Sequence, residues 1–249
     1  MLFFKDFPRT AYIFGDQETT GGQQVTYEIF QDISRYTDIL DQIKDNVSFY
    51  QNYTIQENDR PDQVSFKLYG SPEYHWTFFL MNEKLRNQGW PLTMRQLDEV
   101  AKRDFPHYTI TTRDDLTSIF LVGQTAIGSV SAAKGEILRR YLDLGQVVVD
   151  SQKAFLAGEA VRNVAPTADG TGSIDVQSIS KEYLAAHHYE DVNGNWVDID
   201  PAQGPGAQLV EVTHYDRYVK ENNQLKNIRI IKPELMQEVV SAFTQAIKS

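Results

Sequence analysis

The apolar positions of residues 25–50 recur with the period of a helix. Steps of four and three residues alternate between them, which places the apolar side chains along one narrow stripe. The sequence therefore predicts an amphipathic helix over residues 25–50. A stripe of about three heptads favours a helix that packs on its own core over an intermolecular coiled coil, and both interpretations stay open. The stripe consists of Ile29, Ile33, Tyr36, Leu40, Ile43 and Val47.

Residues 53–70 follow the pattern of a strand, a turn and a short helix. The triplet at 53–55 alternates around a β-branched centre, which favours a strand. Turn-forming residues at 58–61 end with Pro61, a residue preferred at the first position of a helix. Gly70 is placed to end this helix in a left-handed conformation. The apolar side chains of the predicted helix are Val64, Leu68 and Tyr69 near one face, with Phe66 beside them.

A second helix is predicted directly after this corner, and it is rich in large apolar residues. Ser71 is suited to the N-cap position, and Pro72 takes the first helical position. One exposed helix cannot hide so many apolar side chains, so other elements or a partner must cover it. These side chains are Tyr74, Trp76, Phe78, Phe79, Leu80 and Met81.

A capping box marks the next helix. Thr93 and Gln96 have the spacing in which each side chain binds the other's backbone, and the helix is predicted to continue to about Lys102. Residues 107–112 then alternate in the manner of a strand. We expect this strand to pair with residues 53–55 and to complete a strand–helix–helix–strand module.

Between residues 116 and 164, short β-prone runs alternate with glycines. They cover 119–122, 127–131, 136–142, 146–149 and 159–164. Several short strands at near-regular spacing predict a small antiparallel barrel or sandwich, inserted into the rest of the chain. Residues 165–173 have the composition of a linker.

The C-terminal part begins with a predicted helix at 182–188. Asn193-Gly194 then gives the signal of a β-hairpin between residues 189–192 and 196–199. A Gly/Pro-rich loop follows at 202–206. Further on, the sequence predicts a helix at 212–225, a strand at 228–231 and a last helix that begins at Lys232-Pro233, with Met236, Val240, Phe243 and Ile247 on one side.

Composition excludes several classes of protein. The 249 residues contain no cysteine, so neither disulfides nor a thiolate metal site can form. The net charge of −10, without a block of basic residues, argues against nucleic acid as a partner. No apolar run approaches the roughly 20 residues of a membrane span, and the start is too short for a signal sequence. We therefore expect folding in a reducing cytoplasm, with no contact to a membrane.

The first 22 residues show no regular period, and we expect an aromatic arm. It ends in a flexible stretch at 19–22 and either packs on its own domain or becomes ordered on another subunit. Its aromatic residues are Phe3, Phe4, Phe7, Tyr12 and Phe14.

The candidates for chemistry are weak. His187-His188, followed by Glu190 and Asp191, lacks a third histidine nearby and is interpreted as structural. Residues 191–202 imitate the start of a calcium loop but carry tryptophan and alanine where glycine and glutamate are needed. The carboxylate pairs 114/115 and 198/200 have nothing that would separate their pKa values. Motifs of nucleotide binding and of serine nucleophiles are absent, so we predict no catalytic residue, no metal, no cofactor and no enzyme.

Three segments carry a resemblance to a known family. The order of elements at 53–82 resembles a LysM module. The wording RPDQVSFKLYGSPEYHWTFFLMNE, followed by GWPLT, is similar to the LysM-like part of the baseplate wedge protein fifty-three family of T-even-like contractile-tailed phages. The Phe-rich start and the closing stretch YDRYVKENNQLKNIRIIKPELMQEVVSAFTQAIKS are similar to the same family in the same order.

The resemblance implies a structural subunit of the tail baseplate, assembled in the host cytoplasm. Its implied partners are other baseplate wedge proteins, the lysozyme-like sheath-initiating baseplate protein and copies of itself in adjacent wedges. The implied contact surface is the LysM-like module, with the aromatic arm beside it at Phe3, Phe4 and Phe7. The candidate interface residues of the module are Asp59, Arg60, Pro61, Asp62, Tyr69, Gly70, Tyr74, Trp76, Asn82 and Trp90.

The same aromatic residues also permit a second interpretation. Aromatic faces bind the apolar side of pyranose rings, and LysM modules recognise N-acetylglucosamine polymers, so the rival function is a peptidoglycan-binding module of a cell-wall-targeting protein. In either case we expect an α+β fold. It comprises an N-terminal arm (1–24), a long helix with the LysM-like module (25–112), an inserted small antiparallel β domain (113–172) and a C-terminal hairpin with a helix–strand–helix tail (173–249).

Overall fold

The structure of the chain is a computed structural model that describes residues 7–19, 22–32, 46–164 and 170–248. Within these ranges the α-helices are α1 (Pro61–Tyr69), α2 (Trp76–Met81), α3 (Glu83–Gln88), α4 (Met94–Asp104), α5 (His214–Lys226) and α6 (Met236–Lys248). The strands are β1 (Arg9–Thr19), β2 (Gly22–Gln31), β3 (Tyr50–Thr54), β4 (Tyr108–Thr111), β5 (Thr125–Gly128), β6 (Lys134–Tyr141), β7 (Gln146–Ser151), β8 (Ala160–Val164), β9 (Ser173–Asp175), β10 (Ser178–Lys181), β11 (Ala186–Glu190), β12 (Trp196–Val197), β13 (Val210–Thr213) and β14 (Asn227–Ile231).

Helices and small antiparallel sheets thus share the chain, as the predicted α+β class requires. The chain divides into two compact units. The first consists of Met1–Pro91 and Asn223–Ser249, and the second of Leu92–Asn222. The residues of the predicted small β domain, 113–172, lie within the second unit.

The first unit contains a strand–helix–helix–strand motif whose two strands come from distant parts of the sequence. β3 pairs antiparallel with β14, with Tyr53 opposite Ile228 and Tyr50 opposite Ile231. Helices α1 and α2 follow β3 directly. The predicted pairing of 107–112 with 53–55 is therefore wrong. β4 pairs instead on both sides, with β7 and β10, so neither of its edges is left for β3.

Two apolar clusters hold the first unit together. One lies around Val64, Phe78 and Leu85, each at most 1% exposed, and joins α1, α2 and α3 to the β3–β14 sheet. In the other, Trp76 packs on α6, with its ring centroid 5.1 Å from that of Phe243. The predicted apolar side of the last helix, Met236, Val240, Phe243 and Ile247, is buried in this cluster.

Residues 9–19 and 22–31 form the two strands of a hairpin, not an irregular arm followed by a helix. β1 and β2 pair from Arg9 opposite Gln31 to Thr19 opposite Gly22. The predicted helix is wrong over residues 25–31, where Val25, Tyr27 and Ile29 alternate with a period of two and β-branched and aromatic residues favour strands. Of the remaining predicted helix, residues 33–45 lie outside the described residues, and Val47 lies in a turn with 69% of its surface exposed.

The second unit is built on a seven-stranded antiparallel sheet in the order β10-β4-β7-β6-β5-β8-β9. Three of the five predicted β runs correspond to β6, β7 and β8. The run at 127–131 shares only residues 127 and 128 with β5, and residues 119–122 form a loop. A flat sheet of seven strands would separate β9 from β10 by about 29 Å. However, only Val176 and Gln177 connect these strands, and three Cα–Cα steps span at most about 11 Å. The sheet therefore curls until its two outer strands lie close together, around a core that includes Ile110, Ile137, Val147 and Val161.

A three-stranded sheet in the order β12-β11-β13 completes the second unit. The predicted helix at 182–188 is wrong beyond a single 3-10 turn, because Ala186–Glu190 is a strand whose partners lie on both sides. The hairpin signal is confirmed, with Glu190 opposite Trp196 and Gly194 at a φ of 79°. Part of the predicted linker, 165–169, lies outside the described residues.

Local helix signals are confirmed at several positions. Both hydrogen bonds of the Thr93–Gln96 capping box are present at the start of α4. Gly70 ends α1 at a φ of 70°, a conformation that glycine adopts without a steric penalty. The Ser71 hydroxyl accepts a hydrogen bond from the amide of Glu73 at 3.3 Å. There the chain first forms a 3-10 turn, Pro72–Tyr74, before α2 begins.

Candidate interaction surface

The outer face of α1 carries an exposed aromatic residue. Phe66 is 62% exposed, whereas Val64, two positions earlier, is fully buried. Two helical positions are about 200° apart, so the two side chains point to opposite faces. Phe66 also lines a surface depression of about 600 Å³ together with Asp59, Asp62, Gln63, Lys67 and Pro72. Two of the predicted interface residues, Asp59 and Asp62, therefore lie beside Phe66, which is predicted from the sequence to lie next to the apolar face of the helix.

Ion pairs and one backbone bond hold the charged rim of this depression in place. Lys67 Nζ lies 2.5 Å from Asp59 Oδ1, and the Asp59 side chain is only 10% exposed. This hydrogen bond to the carboxylate raises the pKa of Lys67. Trp90 Nε1 donates to the backbone oxygen of Asp59 at 2.7 Å, which fixes the loop before α1. Arg60 and Asp62 pair at 3.1 Å, and both side chains remain largely accessible to solvent.

Two predicted interface aromatics, Tyr69 and Trp76, support the interior of the module instead. The Tyr69 hydroxyl donates to the backbone oxygen of Ile231 at 3.0 Å, which ties α1 to β14. Burial raises the pKa of Tyr69 above its usual range. Trp76 is 8% exposed and packs on α6. Tyr74 is half-buried, and its ring meets the Tyr69 ring edge-on at 6.1 Å. Trp90 is also half-buried and packs on Phe78 and Phe79.

Asn82 fastens the end of α2 to β14. Its Nδ2 donates to the backbone oxygens of Phe78 and Arg229, each at 2.8 Å. The Arg229 amide in turn donates to Asn82 Oδ1 at 2.8 Å. Asn82 thus joins the end of α2 to β14 and closes the strand–helix–helix–strand motif. Pro61 and Gly70 have comparable backbone roles, since they begin and end α1.

Of the three predicted arm residues, Phe3 and Phe4 lie outside the described residues. Phe7 is 6% exposed and packs into the apolar cluster around Trp76 and α6. Apolar surface is nevertheless present on the hairpin that follows. Tyr12 and Ile29 are 54% and 63% exposed, and the Tyr12 ring meets the ring of Phe30 at 6.1 Å.

The histidines at 187 and 188 belong to a chain of hydrogen bonds in the second unit. Arg217 Nη1 donates to His187 Nε2 at 2.8 Å, so His187 carries its proton on Nδ1. This Nδ1 lies 2.9 Å from Nδ1 of His188, which must accept. His188 therefore holds its proton on Nε2 and donates to Glu190 Oε1 at 3.1 Å. Glu190 also accepts from Lys220 Nζ at 2.8 Å, and this bond is the main cause of its lowered pKa.

A neutral His187 fits this series of hydrogen bonds. Burial and the neighbouring Arg217 guanidinium lower the pKa of His187. Burial also lowers the pKa of His214 to about 4, with His187 as a further cause. Among the described residues, no group of three or more His, Asp or Glu side chains is placed to hold a metal ion. These hydrogen bonds hold Arg217 and His187 in position. The sequence could not predict them, because Arg217 lies far from the histidine pair along the chain.

The remaining polar candidates are engaged in local structure. Asp191 Oδ1 accepts from the amides of Asn193 and Asn195, at 2.8 and 2.9 Å, and so shapes the hairpin loop. Asp114 Oδ2 accepts from the amide of Asp175 at 2.7 Å, whereas Asp115 caps the turn at Thr117. Asp200 Oδ1 accepts from the amide of Ala202 at 3.0 Å.

Within the described ranges, none of the helices has both the length and the apolar character that a bilayer crossing requires.

Comparison with protein families finds a match to part of the chain. The model of a protein family described as base plate wedge protein 53 matches residues 2–105, which include the hairpin, β3, helices α1 to α3 and α4 as far as its C-cap. No curated protein matches the sequence. The matched segment contains the depression on α1 and every candidate interface residue. Residues 2–105 are thus similar to the base plate wedge protein 53 family.

Proposed function

We propose that this protein is a non-enzymatic structural subunit of a phage tail baseplate wedge, and that a LysM-like module in its first unit joins neighbouring subunits. The family match over residues 2–105 is the observation that carries the proposal. It implies a place in the virion, at the tail baseplate, among other baseplate components. The partners would be other wedge proteins, the lysozyme-like sheath-initiating protein and copies of the chain in adjacent wedges, assembled in the host cytoplasm.

The pairing of β3 with β14 supports the LysM-like part of the proposal. A LysM module has a strand–helix–helix–strand plan, and here β3, α1, α2 and β14 follow that order with the two strands antiparallel. The second strand follows the second unit in the chain, so it comes from the C-terminal region that resembles the same family. Tyr69 and Asn82 contribute to this closure, and in the proposal they act as scaffold for the contact surface.

The outer face of α1 is the surface that we assign to subunit contact. An exposed phenylalanine beside a depression fits the anchor residue of a protein interface, where aromatic side chains supply much of the binding energy. Asp59, Arg60, Asp62 and Lys67 surround it with charges of both signs. Mixed charges at a rim favour one orientation of the partner more than they add to affinity. Trp90 supports this rim from below.

The hairpin at 9–31 is proposed as a second contact. A two-stranded hairpin is marginally stable by itself in water. Exposed apolar side chains at Tyr12 and Ile29 leave apolar area that a neighbouring subunit would cover. Phe7, which is buried in the first unit, anchors the base of the hairpin. Phe3 and Phe4 would extend this contact at the very start of the chain.

Co-expression with the other wedge proteins of the same phage tests the α1 surface. Phe66→Asp is expected to abolish co-purification, because it places a charge where an anchor must be desolvated. Val122→Asp is the matched control, since Val122 is also 62% exposed but lies in the second unit. Normal assembly of the Phe66→Asp variant, judged by co-purification and by electron microscopy of baseplates, would exclude this surface.

The rival function, binding of peptidoglycan by the LysM-like module, is separated by a pull-down on purified peptidoglycan. The structural proposal expects no saturable binding by the full chain. Saturable binding that is lost in Trp90→Ala, with the fold retained by circular dichroism, would favour the rival. A Trp76→Ala variant is less informative, because removal of a side chain that is 8% exposed disturbs the core as well.

A further inference from the structure

A cavity of about 340 Å³ lies within the second unit, and of its lining residues only Phe105 belongs to the segment that the family match covers. This volume falls at the lower end of the range typical of small-molecule sites. Its walls come from the loop after α4, the end of β6, strands β11 and β12, and the first turn of α5. The lining residues are Phe105, Tyr141, Asp143, Leu144, Ala186, His187, Trp196, His214 and Arg217.

Aromatic rings form much of this wall. The Trp196 ring stacks on His188 at 4.2 Å with an interplanar angle of 19°. Its residue is nevertheless 59% exposed, so much of the indole away from His188 is accessible. Phe105 and Tyr141 are half-buried at the same cavity, and Phe105 stacks on His214 at 4.3 Å. A large exposed tryptophan at the rim of an aromatic cavity offers a flat face to an apolar surface of a ligand.

The charges at the cavity disfavour charged ligands. Arg217 would repel an ammonium group, although aromatic rings alone would attract one. Asp143 would repel a carboxylate or a phosphate in the same way, and its side chain is exposed. One guanidinium donor and one carboxylate acceptor together fit neutral hydroxyl groups, which donate and accept at the same time.

Arg217 and His187 are held in position before any ligand arrives. Arg217 donates to His187 Nε2 at 2.8 Å, and Glu221 Oε1 lies 3.3 Å from Arg217 Nε. The hydrogen-bond chain through His188 to Glu190 fixes the His187 ring in turn. Side chains that are already fixed lose little further freedom on binding, so each contact contributes more to affinity.

We propose that this cavity binds a pyranose ring of a carbohydrate, with Trp196 against the apolar face of the sugar and with Asp143 and Arg217 at its hydroxyl groups. A ligand that combines a flat C–H face with neutral hydroxyls satisfies both the aromatic wall and the opposed charges. The site lies in the second unit, so the proposal goes beyond the wedge function and does not depend on it.

Saturation-transfer NMR on the full chain tests this site with defined probes. The panel consists of the methyl glycosides of glucose, galactose, mannose and N-acetylglucosamine, with tetramethylammonium and benzoate as charged comparators. We expect millimolar binding of at least one glycoside and weaker binding of both ions. A polysaccharide extracted from bacterial surfaces, tested beside the free glycosides, then distinguishes a polymer ligand from a free sugar.

Variants locate the binding. Trp196→Ala is expected to weaken glycoside binding about tenfold, roughly the value of one well-placed aromatic contact. Val192→Ala, in the same hairpin and 84% exposed, is the matched control and should bind normally. Asp143→Ala should also weaken binding while the thermal unfolding curve stays unchanged, which a purely structural residue would not produce. Binding that is equal in the wild type and in both cavity variants, absence of glycoside binding, or tighter binding of either ion would overturn the proposal.

Discussion

Replacement of Asn82 by alanine tests whether β14 closes the first unit in the way described above. Asn82 lies at the C-terminal end of α2, and its side chain bonds with both the amide and the carbonyl of Arg229, 147 residues further along the chain. A third bond reaches the carbonyl of Phe78 in the last turn of α2. Asn82→Ala removes these bonds and leaves the helices and strands otherwise unchanged.

The expected loss follows from the environment of the bonds. A hydrogen bond contributes about 0.5–1.5 kcal/mol net to the free energy of unfolding. The bonds to Arg229 are near solvent, so water satisfies part of what alanine leaves open. We therefore expect Asn82→Ala to lower the free energy of unfolding of the first unit by about 2 kcal/mol. Asn82→Asp should cost as much or more, because a carboxylate would face two carbonyl oxygens.

The assay needs a signal from the first unit alone, because a chain with two units need not unfold in one step. Of the three tryptophans, Trp76 and Trp90 lie in the first unit and Trp196 in the second. Urea unfolding followed by tryptophan fluorescence in a Trp196→Phe background therefore reports on the first unit.

Asn52→Ala provides the control for this experiment. Asn52 lies opposite Arg229 in the β3–β14 sheet, and its residue is exposed. We expect this variant to differ from the parent by less than about 0.5 kcal/mol, as is usual for surface positions. Equal stability of the two variants would refute the role of Asn82 in closing the motif.

Three further predictions concern the second unit. The Glu159 carboxylate is 3% exposed and accepts hydrogen bonds from three amides and the Ser131 hydroxyl, which hold its pKa at about 2. The stability that this carboxylate contributes is complete above pH ~4.5, and we expect the free energy of unfolding to fall by about 2–3 kcal/mol as the pH drops towards 2. Glu159→Gln should remove this contribution to the pH dependence. The pKa of His214 is lowered to about 4, so protonation of this histidine should lower the free energy of unfolding as the pH falls from about 6.5 to 4. Urea titrations of His214→Phe should not show this decrease. Gly135→Ala should lower the melting temperature, because the added Cβ would lie 2.2 Å from the backbone oxygen of Asp150. Gly206→Ala is the control and should melt as the wild type does, because a Cβ at this position meets nothing within 4 Å.

Short-range signals in the sequence predicted the local structure around α1, α2 and α4 well. The prolines at 61 and 72, Gly70 and the capping box at Thr93 each act within one or two turns of the chain, so their effect is visible in a short window. The same holds for the apolar stripe of α6, which is buried as its spacing predicts.

Long-range partners were not predictable in this way. Nothing in the neighbourhood of Tyr53 indicates Ile228 as its partner, and a nearer strand with the right alternation was chosen instead. The helical stripe includes only Ile29 within residues 25–31, and pairing with residues 9–19 decides in favour of a strand there. Pairing of that kind depends on tertiary context, which overrides intrinsic propensity.

The sequence allowed only part of the candidate surface to be predicted. Asp59 and Asp62 were identified from their position before α1, and they do line the depression. Phe66 was missed, although counting helical positions from Val64 would have turned it to the solvent side. Tyr69 and Trp76 were proposed because they are aromatic, but an aromatic residue gives no sign in a sequence of whether it faces a partner or its own core.

The origin of β14 has a consequence for the order in which the chain folds on the ribosome. The first unit cannot pair β3 until Asn227–Ile231 has emerged, and Leu92–Asn222 must be synthesised before that. At about 5–20 residues per second, the delay is on the order of ten seconds. During this time the apolar side chains of α1 and α2 lack both β14 and α6. A nascent chain arrested before residue 227 should therefore be susceptible to proteases around residues 61–81, and the full chain should be resistant there.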